Sequence, residues 1–189
     1  MDLKLFVLSA CLLVGGACAQ DNQDYKSHYA GLDDFGVGSS LNSTGSAYQP
    51  GSDIQKLIDD APEGSSIEMP ADHYVLAEPL HINKNVTITA SPFFVLYAQW
   101  ASQLLEIDNP KVSVNIEKLV FFRGKGDFGG AITSQAKSLT IKNCWLVDCL
   151  AEYGAAIYQN GGNLEIVGSF FELNNASIGG LPSMMMAEI

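Results

Sequence analysis

"GGAITSQAKSLTIKNCWLVDCLAEYGAAIYQNGGNLEIVGSFFELNNASIGG", residues 129 to 180, says nearly the same thing twice. At an offset of 25 residues Ile132 falls on Ile157, Leu139 on Leu164, Ile141 on Ile166, Trp145 on Phe170, Leu146 on Phe171 and Ala151 on Ala176. Gly129 falls on Gly154 and then on Gly179. One period earlier, Ile107 lies under Ile132, Val114 and Ile116 under Leu139 and Ile141, Val120 and Phe121 under Trp145 and Leu146, and Gly126 under Ala151. A fixed period of this size marks stacked repeats, each too small to bury its apolar face alone. The unit holds three short runs rich in β-branched and aromatic residues and no helix-length pattern, so it predicts one turn of a parallel β-solenoid. Equivalent residues then stack at the strand spacing of about 4.8 Å, like upon like. Gly129, Gly154 and Gly179 mark corners that need positive φ or close backbone approach.

Residues 66 to 106 follow the same grammar with poorer spacing, as end coils do. Before them, Ser52 and Gln55 resemble a capping box, and Ile54, Leu57 and Ile58 share one apolar face at helical spacing until Pro62 and Gly64 stop the pattern. This predicts a short helix, about Asp53 to Asp60, that covers the open edge of the first coil. Residues 20–50 are rich in Gly, Ser, Asn, Asp and Gln without an apolar period and read as a flexible linker. Residues 1–19 place Lys4 before an apolar run from Leu5 to Val14 and end in Ala17-Cys18-Ala19, the layout of a secretory signal peptide. Cys11 and Cys18 leave a lipid anchor as the alternative.

Three Asn-X-Ser/Thr acceptors, at Asn42, Asn85 and Asn175, are candidate N-glycosylation sites in an exported chain. A net charge of -11 with Arg123 as the single arginine disfavours nucleic acid, because phosphate binding needs clustered cations. Of the cysteines, Cys144 and Cys149 lie beyond the leader, and extended geometry between them favours two buried thiols over a disulfide.

Catalytic and metal signals are sparse, and no cofactor is expected. Asp33-Asp34 and Asp59-Asp60 read as solvated charge and helix-end polarity. Arg123-Gly124-Lys125-Gly126-Asp127 reads as a turn rather than a Ca²⁺ loop, and His28, His73 and His81 show no metal-ligand spacing with each other or with the cysteines. The doublets Phe121-Phe122, Trp145-Leu146 and Phe170-Phe171 raise a sharper question. If alternation holds, Val120, Trp145 and Phe170 form an outward stripe for a sugar or protein ligand; if a corner intervenes, both members of each pair turn inward.

"GGAI" at Gly129 to Ile132 and "FELNNA" at Phe171 to Ala176 resemble the GGAI and FxxN repeats of polymorphic outer-membrane proteins. The stretch Ile54 to Ala90 resembles the opening of right-handed parallel β-helix, adhesin-like surface proteins of methanogenic archaea. The chain departs from the FxxN pattern at Leu146-Val147-Asp148-Cys149, where Cys149 replaces the asparagine. The resemblance implies an all-β, right-handed parallel β-helix, of about four to five coils here, with a capping helix at 51–64, the coils at 65–182 and an uncapped tail at 183–189. It implies a secreted or cell-surface, non-enzymatic, adhesin-like module whose partners are cell-wall or host polysaccharide or a surface protein, with self-association through the uncapped last coil. A polysaccharide lyase or glycoside hydrolase of the pectate-lyase-like fold is the alternative function.

Overall fold

Along Val112-Ser113-Val114-Asn115-Ile116, the valines and Ile116 are buried while Ser113 and Asn115 face solvent. A period of two with one face buried is what a strand packed on one side produces. The computed structural model describes residues 51–69, 73–178 and 184–188, and for 51–53, 73, 92–93 and 184–188 the backbone alone. The predicted leader and linker, with His28, Asp33-Asp34 and Asn42, lie outside the described residues, as does Gly179.

One helix, α1 (Gly51–Asp60), precedes β1 (Ser66–Met69), β2 (His73–Val75), β3 (Leu80–His81), β4 (Val86–Tyr97), β5 (Leu105–Ile107), β6 (Ser113–Phe122), β7 (Lys125–Phe128) and β8 (Ile132–Ser134). β9 (Ser138–Lys142), β10 (Trp145–Val147), β11 (Leu150–Tyr153), β12 (Ile157–Gln159), β13 (Asn163–Glu172), β14 (Asn175–Ala176) and β15 (Met184–Glu188) follow. They form three sheets. The largest runs β1-β4-β6-β10-β13-β15, with β2 and β9 pairing into the same layer; the others run β14-β11-β7 and β12-β8-β5-β3. Neighbours on these paths are parallel except β13 and β15, so the chain winds as a β-solenoid of about four turns. Its interior is one continuous apolar cluster from Ile54 to Ala156, with Phe94, Ile107, Ile116, Phe121, Ile132, Leu139, Ile141 and Leu146 fully buried.

The register reproduces the 25-residue ladder: Val114 pairs with Leu139, Val120 with Trp145, Phe121 with Leu146, Gly126 with Ala151, Ile132 with Ile157, and Trp145 with Phe170. One expected rung is wrong. Ile107 pairs with Ser134, and it is Leu105 that lies beside Ile132. The connection 98–104 is two residues shorter than its counterpart 123–131, which displaces the register to 27, and the turn 108–112, two residues longer than 135–137, brings it back to 25 at β6 and β9.

Three sets of corners recur at the 25-residue period between Lys118 and Leu173. Gly129 and Gly154 have φ of 57° and 70°, as their alignment predicts. The other two sets use side-chain-bearing residues: Lys118 and Asn143 with Gly168, and Arg123, Asp148 and Leu173, all at φ between 52° and 60°. A left-handed residue breaks the inter-coil ladder and leaves the next N–H without its sheet partner. Small polar side chains of the coil above repair this. Ser169 Oγ accepts the Cys144 N–H at 3.0 Å, and Asn174 Oδ1 accepts the Cys149 N–H at 3.0 Å while its Nδ2 donates to the Leu146 carbonyl at 2.8 Å.

Helix α1 covers the first coil's edge through buried Ile54 and Ile58, whereas Leu57, expected on the same face, is exposed. Gln55, expected to form a capping box with Ser52, reaches the first coil. Its Oε1 accepts the His81 N–H at 2.8 Å and its Nε2 donates to the His81 carbonyl at 3.0 Å, so one amide serves β3 as a neighbouring strand would. At the other end, β15 runs antiparallel to β13, pairing from Val167 with Glu188 to Glu172 with Met184, where an uncapped tail was expected. No described helix is long and apolar enough to cross a membrane.

Candidate functional site

The expected stripe exists as a row. Val120, Trp145 and Phe170 pair in register, are half-buried, and point away from fully buried Phe121 and Leu146. The Trp145 and Phe170 rings lie 4.9 Å apart at 38°. Alternation therefore holds at these doublets. It breaks one residue later, where Phe122 and Val147 are buried too, beside the Arg123 and Asp148 corner. The stripe is only partly open, and the Trp145 indole N–H is buried without a hydrogen-bond partner among the described residues.

A more exposed apolar ladder lies on the neighbouring sheet, where sequence reasoning missed it. Phe128 of β7 pairs with Tyr153 of β11, and their rings are nearly parallel, 5.3 Å apart at 17°. Phe128 is 42% exposed and Tyr153 37%, and Ile178, one further period along, is 50% exposed. Tyr158 of β12 joins from the other side of the Gly154 corner, with its ring 4.7 Å from Phe128. The Gly129 corner is held closed by side chains. Gln103 Nε2 donates to the Phe128 carbonyl at 2.7 Å and to Thr133 Oγ1 at 3.1 Å, and the Thr133 hydroxyl also donates to the Phe128 carbonyl. Asp127 and Glu152, exposed as well, precede the two aromatic residues in sequence. Period 25 carried this signal: aromatic residues 128 and 153 each stand directly before an aligned glycine.

The expected turn is present at Arg123, a buried residue at a bend, but residues Lys125–Phe128 are strand. Its guanidinium is buried, with Nε 2.9 Å from Asp148 Oδ2, an N–H donated to the Tyr97 hydroxyl at 3.3 Å, and its plane over the Trp100 and Phe122 rings at 4.4 and 4.8 Å. Trp100 Nε1 donates to the Asp148 carbonyl at 2.9 Å, closing the cluster. So enclosed, Arg123 is a structural cation rather than the exposed base a polysaccharide lyase would need.

Cys144 and Cys149 are free, fully buried thiols. Burial pushes both up to about 12, outweighing the backbone hydrogen bonds that act the other way, so they stay protonated and unreactive near neutral pH. Of the glycosylation acceptors, Asn175 is exposed on β14. Asn85 is half-buried, its Oδ1 accepting the Ser113 N–H at 2.7 Å and its Nδ2 donating to Glu63. Asp60 pairs with Lys56 and Asp59 with Gln55 on the helix surface.

His81, expected to lie at the surface without metal-ligand spacing to the other histidines or the cysteines, stands near two carboxylates. His81 of β3, Glu106 of β5 and Asp108 place one ligand atom each within 4.8 Å of one another, the sole such group among the described residues. The residues are 25 and 27 positions apart, a coil rather than a short motif.

Fold and surface together define a parallel β-solenoid with an exposed aromatic ladder. Comparison with protein-family models, curated proteins and solved structures gives no match.

Proposed function

We propose that this chain is an exported, non-enzymatic, adhesin-like module, a right-handed parallel β-helix of the kind its GGAI and FxxN motifs resemble, which attaches to cell-wall or host polysaccharide. The observation that carries the reading is the Phe128 and Tyr153 ladder, solvent-exposed with rings nearly parallel. Aromatic rings left in water on a rigid sheet gain most when an apolar surface covers them, and the C–H faces of sugar rings supply one. The Tyr153 and Tyr158 hydroxyls then serve as hydrogen-bonding groups of the strip. A solenoid suits this task, since its inter-coil ladder holds the rings in register without ordering cost on binding.

The test is calorimetric titration of the full chain with soluble neutral and acidic polysaccharides. Binding that falls about tenfold or more in F128A/Y153A, with Trp145→Ala unchanged, is the expected result. Loss in Trp145→Ala instead moves the contact to the Val120, Trp145 and Phe170 stripe and overturns the ladder. Release of new chain ends from the polysaccharide would replace attachment with the lyase or hydrolase reading, and absence of binding to the whole panel would end the proposal.

A further inference from the structure

On the outer face of the β12-β8-β5-β3 sheet, register places His81, Glu106, Thr133 and Tyr158 in one row across four strands. Its first two members, with Asp108, form a donor set that nothing described above uses. From these residues we propose a binding site for a borderline first-row divalent cation of the Zn²⁺ class, with His81 Nδ1, one Glu106 oxygen and one Asp108 oxygen as its protein ligands.

Geometry supports the assignment. His81 Nδ1 stands 3.4 Å from Glu106 Oε2. Two ligands on a tetrahedral Zn²⁺ at about 2.0–2.1 Å are separated by about 3.3 Å, so this pair needs almost no movement to share an ion. Asp108 follows Glu106 by two residues, on the same face of the extended chain, and its carboxylate closes the set within 4.8 Å. That outer limit is wider than a finished coordination sphere, and the exposed Asp108 side chain closes it by rotating. The backbone beneath does not need to move: Gln55 holds both main-chain groups of His81, and Asn109 Nδ2 donates to the Asn83 carbonyl at 2.9 Å while its Oδ1 accepts the Lys111 N–H at 3.0 Å.

Donor chemistry selects the ion. One imidazole nitrogen with two carboxylates favours Zn²⁺ and its first-row neighbours, whereas Ca²⁺ takes six or more oxygen ligands. Three protein ligands on an exposed face leave a coordination position for water or for an oxygen of a bound molecule. The site stands on its own geometry and does not depend on the aromatic ladder, although Tyr158, about two strand spacings or ~10 Å from Glu106 along the row, would place the two on one surface.

The experiment uses the full chain, stripped with chelator, titrated with ZnCl₂ alone and followed by calorimetry and by the His81 imidazole resonances in NMR. One ion per chain is expected, with Ca²⁺ failing to compete, His81 signals shifting on saturation, and about tenfold or greater loss of affinity in each of His81→Ala, Glu106→Gln and Asp108→Asn. His73→Ala is the control and retains binding. The three test positions are exposed or half-exposed, and an unchanged circular dichroism spectrum confirms that each variant is folded. Zn²⁺ affinity undiminished in Glu106→Gln and His81→Ala, or lost in His73→Ala alone, overturns the site.

Discussion

Backbone conformation at single residues decides where the coils turn. Gly129 has φ of 57°, and a Cβ there would lie 2.7 Å from the Tyr158 nitrogen and closer still to the Ile132 carbonyl oxygen. Gly64 has φ of 75° but open space around the same position. Gly64→Ala therefore isolates the left-handed penalty, roughly 1–2 kcal/mol, and Gly129→Ala adds overpacking for a total of about 3 kcal/mol or more. Urea midpoints of the two variants check this, and equal losses would mean that the coil relaxes around the clash. The thiols give a second test at this scale. Cys144 and Cys149 rise from an ordinary 9.0 to about 12 because they are buried, so the folded chain keeps two protons that the unfolded chain releases. A raised folded value leaves stability intact below about pH 9 and erodes it as pH climbs towards 12, by up to about 1.4 kcal/mol per pH unit for each thiol. Between pH 8 and 10.5, stability should fall more steeply in the parent chain than in C144A/C149A. Parallel slopes would show that the thiols ionise in the fold.

Elements are joined coil to coil by the side chains that repair the left-handed corners, and Asn174 is the most fully used of these. It is buried and bonds both the Cys149 N–H and the Leu146 carbonyl, whereas its neighbour Asn175 is exposed. Asn174→Ala leaves two buried backbone groups unpaired and should cost about 2–3 kcal/mol, against less than about 0.5 kcal/mol for Asn175→Ala. Hydrogen exchange at the Cys149 amide gives an independent reading: it should accelerate in the first variant only. The same corners explain what was legible in the sequence. Apolar residues repeat every 25 positions because stacking in the core demands it, so the solenoid and most of its register could be read directly. The other corners could not: Lys118, Arg123 and Leu173 are of types that rarely adopt positive φ, and Asn143 and Asp148, whose types do visit it, have no like residue at the aligned positions of the neighbouring coils. The two-residue difference between the turns 108–112 and 135–137 was hidden for a related reason: Ile107 and Ile132 are both isoleucines, and chemical likeness masked the shift. The surface was harder still. Phe128 and Tyr153 obey the period, but the adjoining glycines explained the stretch well enough that the rings drew no separate reading. His81 and Glu106 obey it too, and escape notice because metal spacing is usually sought within one segment rather than across a coil.

At the scale of the molecule, a stack has an inside and two ends, and equivalent residues differ in worth according to their place. The first coil is sealed by α1, with Ile54 and Ile58 in the core and Gln55 on the strand edge. At the last coil β15 covers Val167 to Glu172, while the β13 residues before Val167 have β9 on one side and no strand partner on the other among the described residues. Leu139 and Leu164 occupy the same position one coil apart, yet Leu139 is fully buried and Leu164 is 40% exposed. In a nearest-neighbour stack the inner residue contacts coils on both sides and the outer one a single coil. Leu139→Ala should thus cost about 3 kcal/mol by transfer and cavity together, and Leu164→Ala less than about 1 kcal/mol. Native-state hydrogen exchange should follow the same gradient, with amides of Asn163 to Ile166 opening at lower free energy than those of Val114 to Ile116, because fraying proceeds from the less covered end. Equal costs for the two leucines would mean that the terminal coil is covered in solution, and it would direct attention to whatever packs against Leu164.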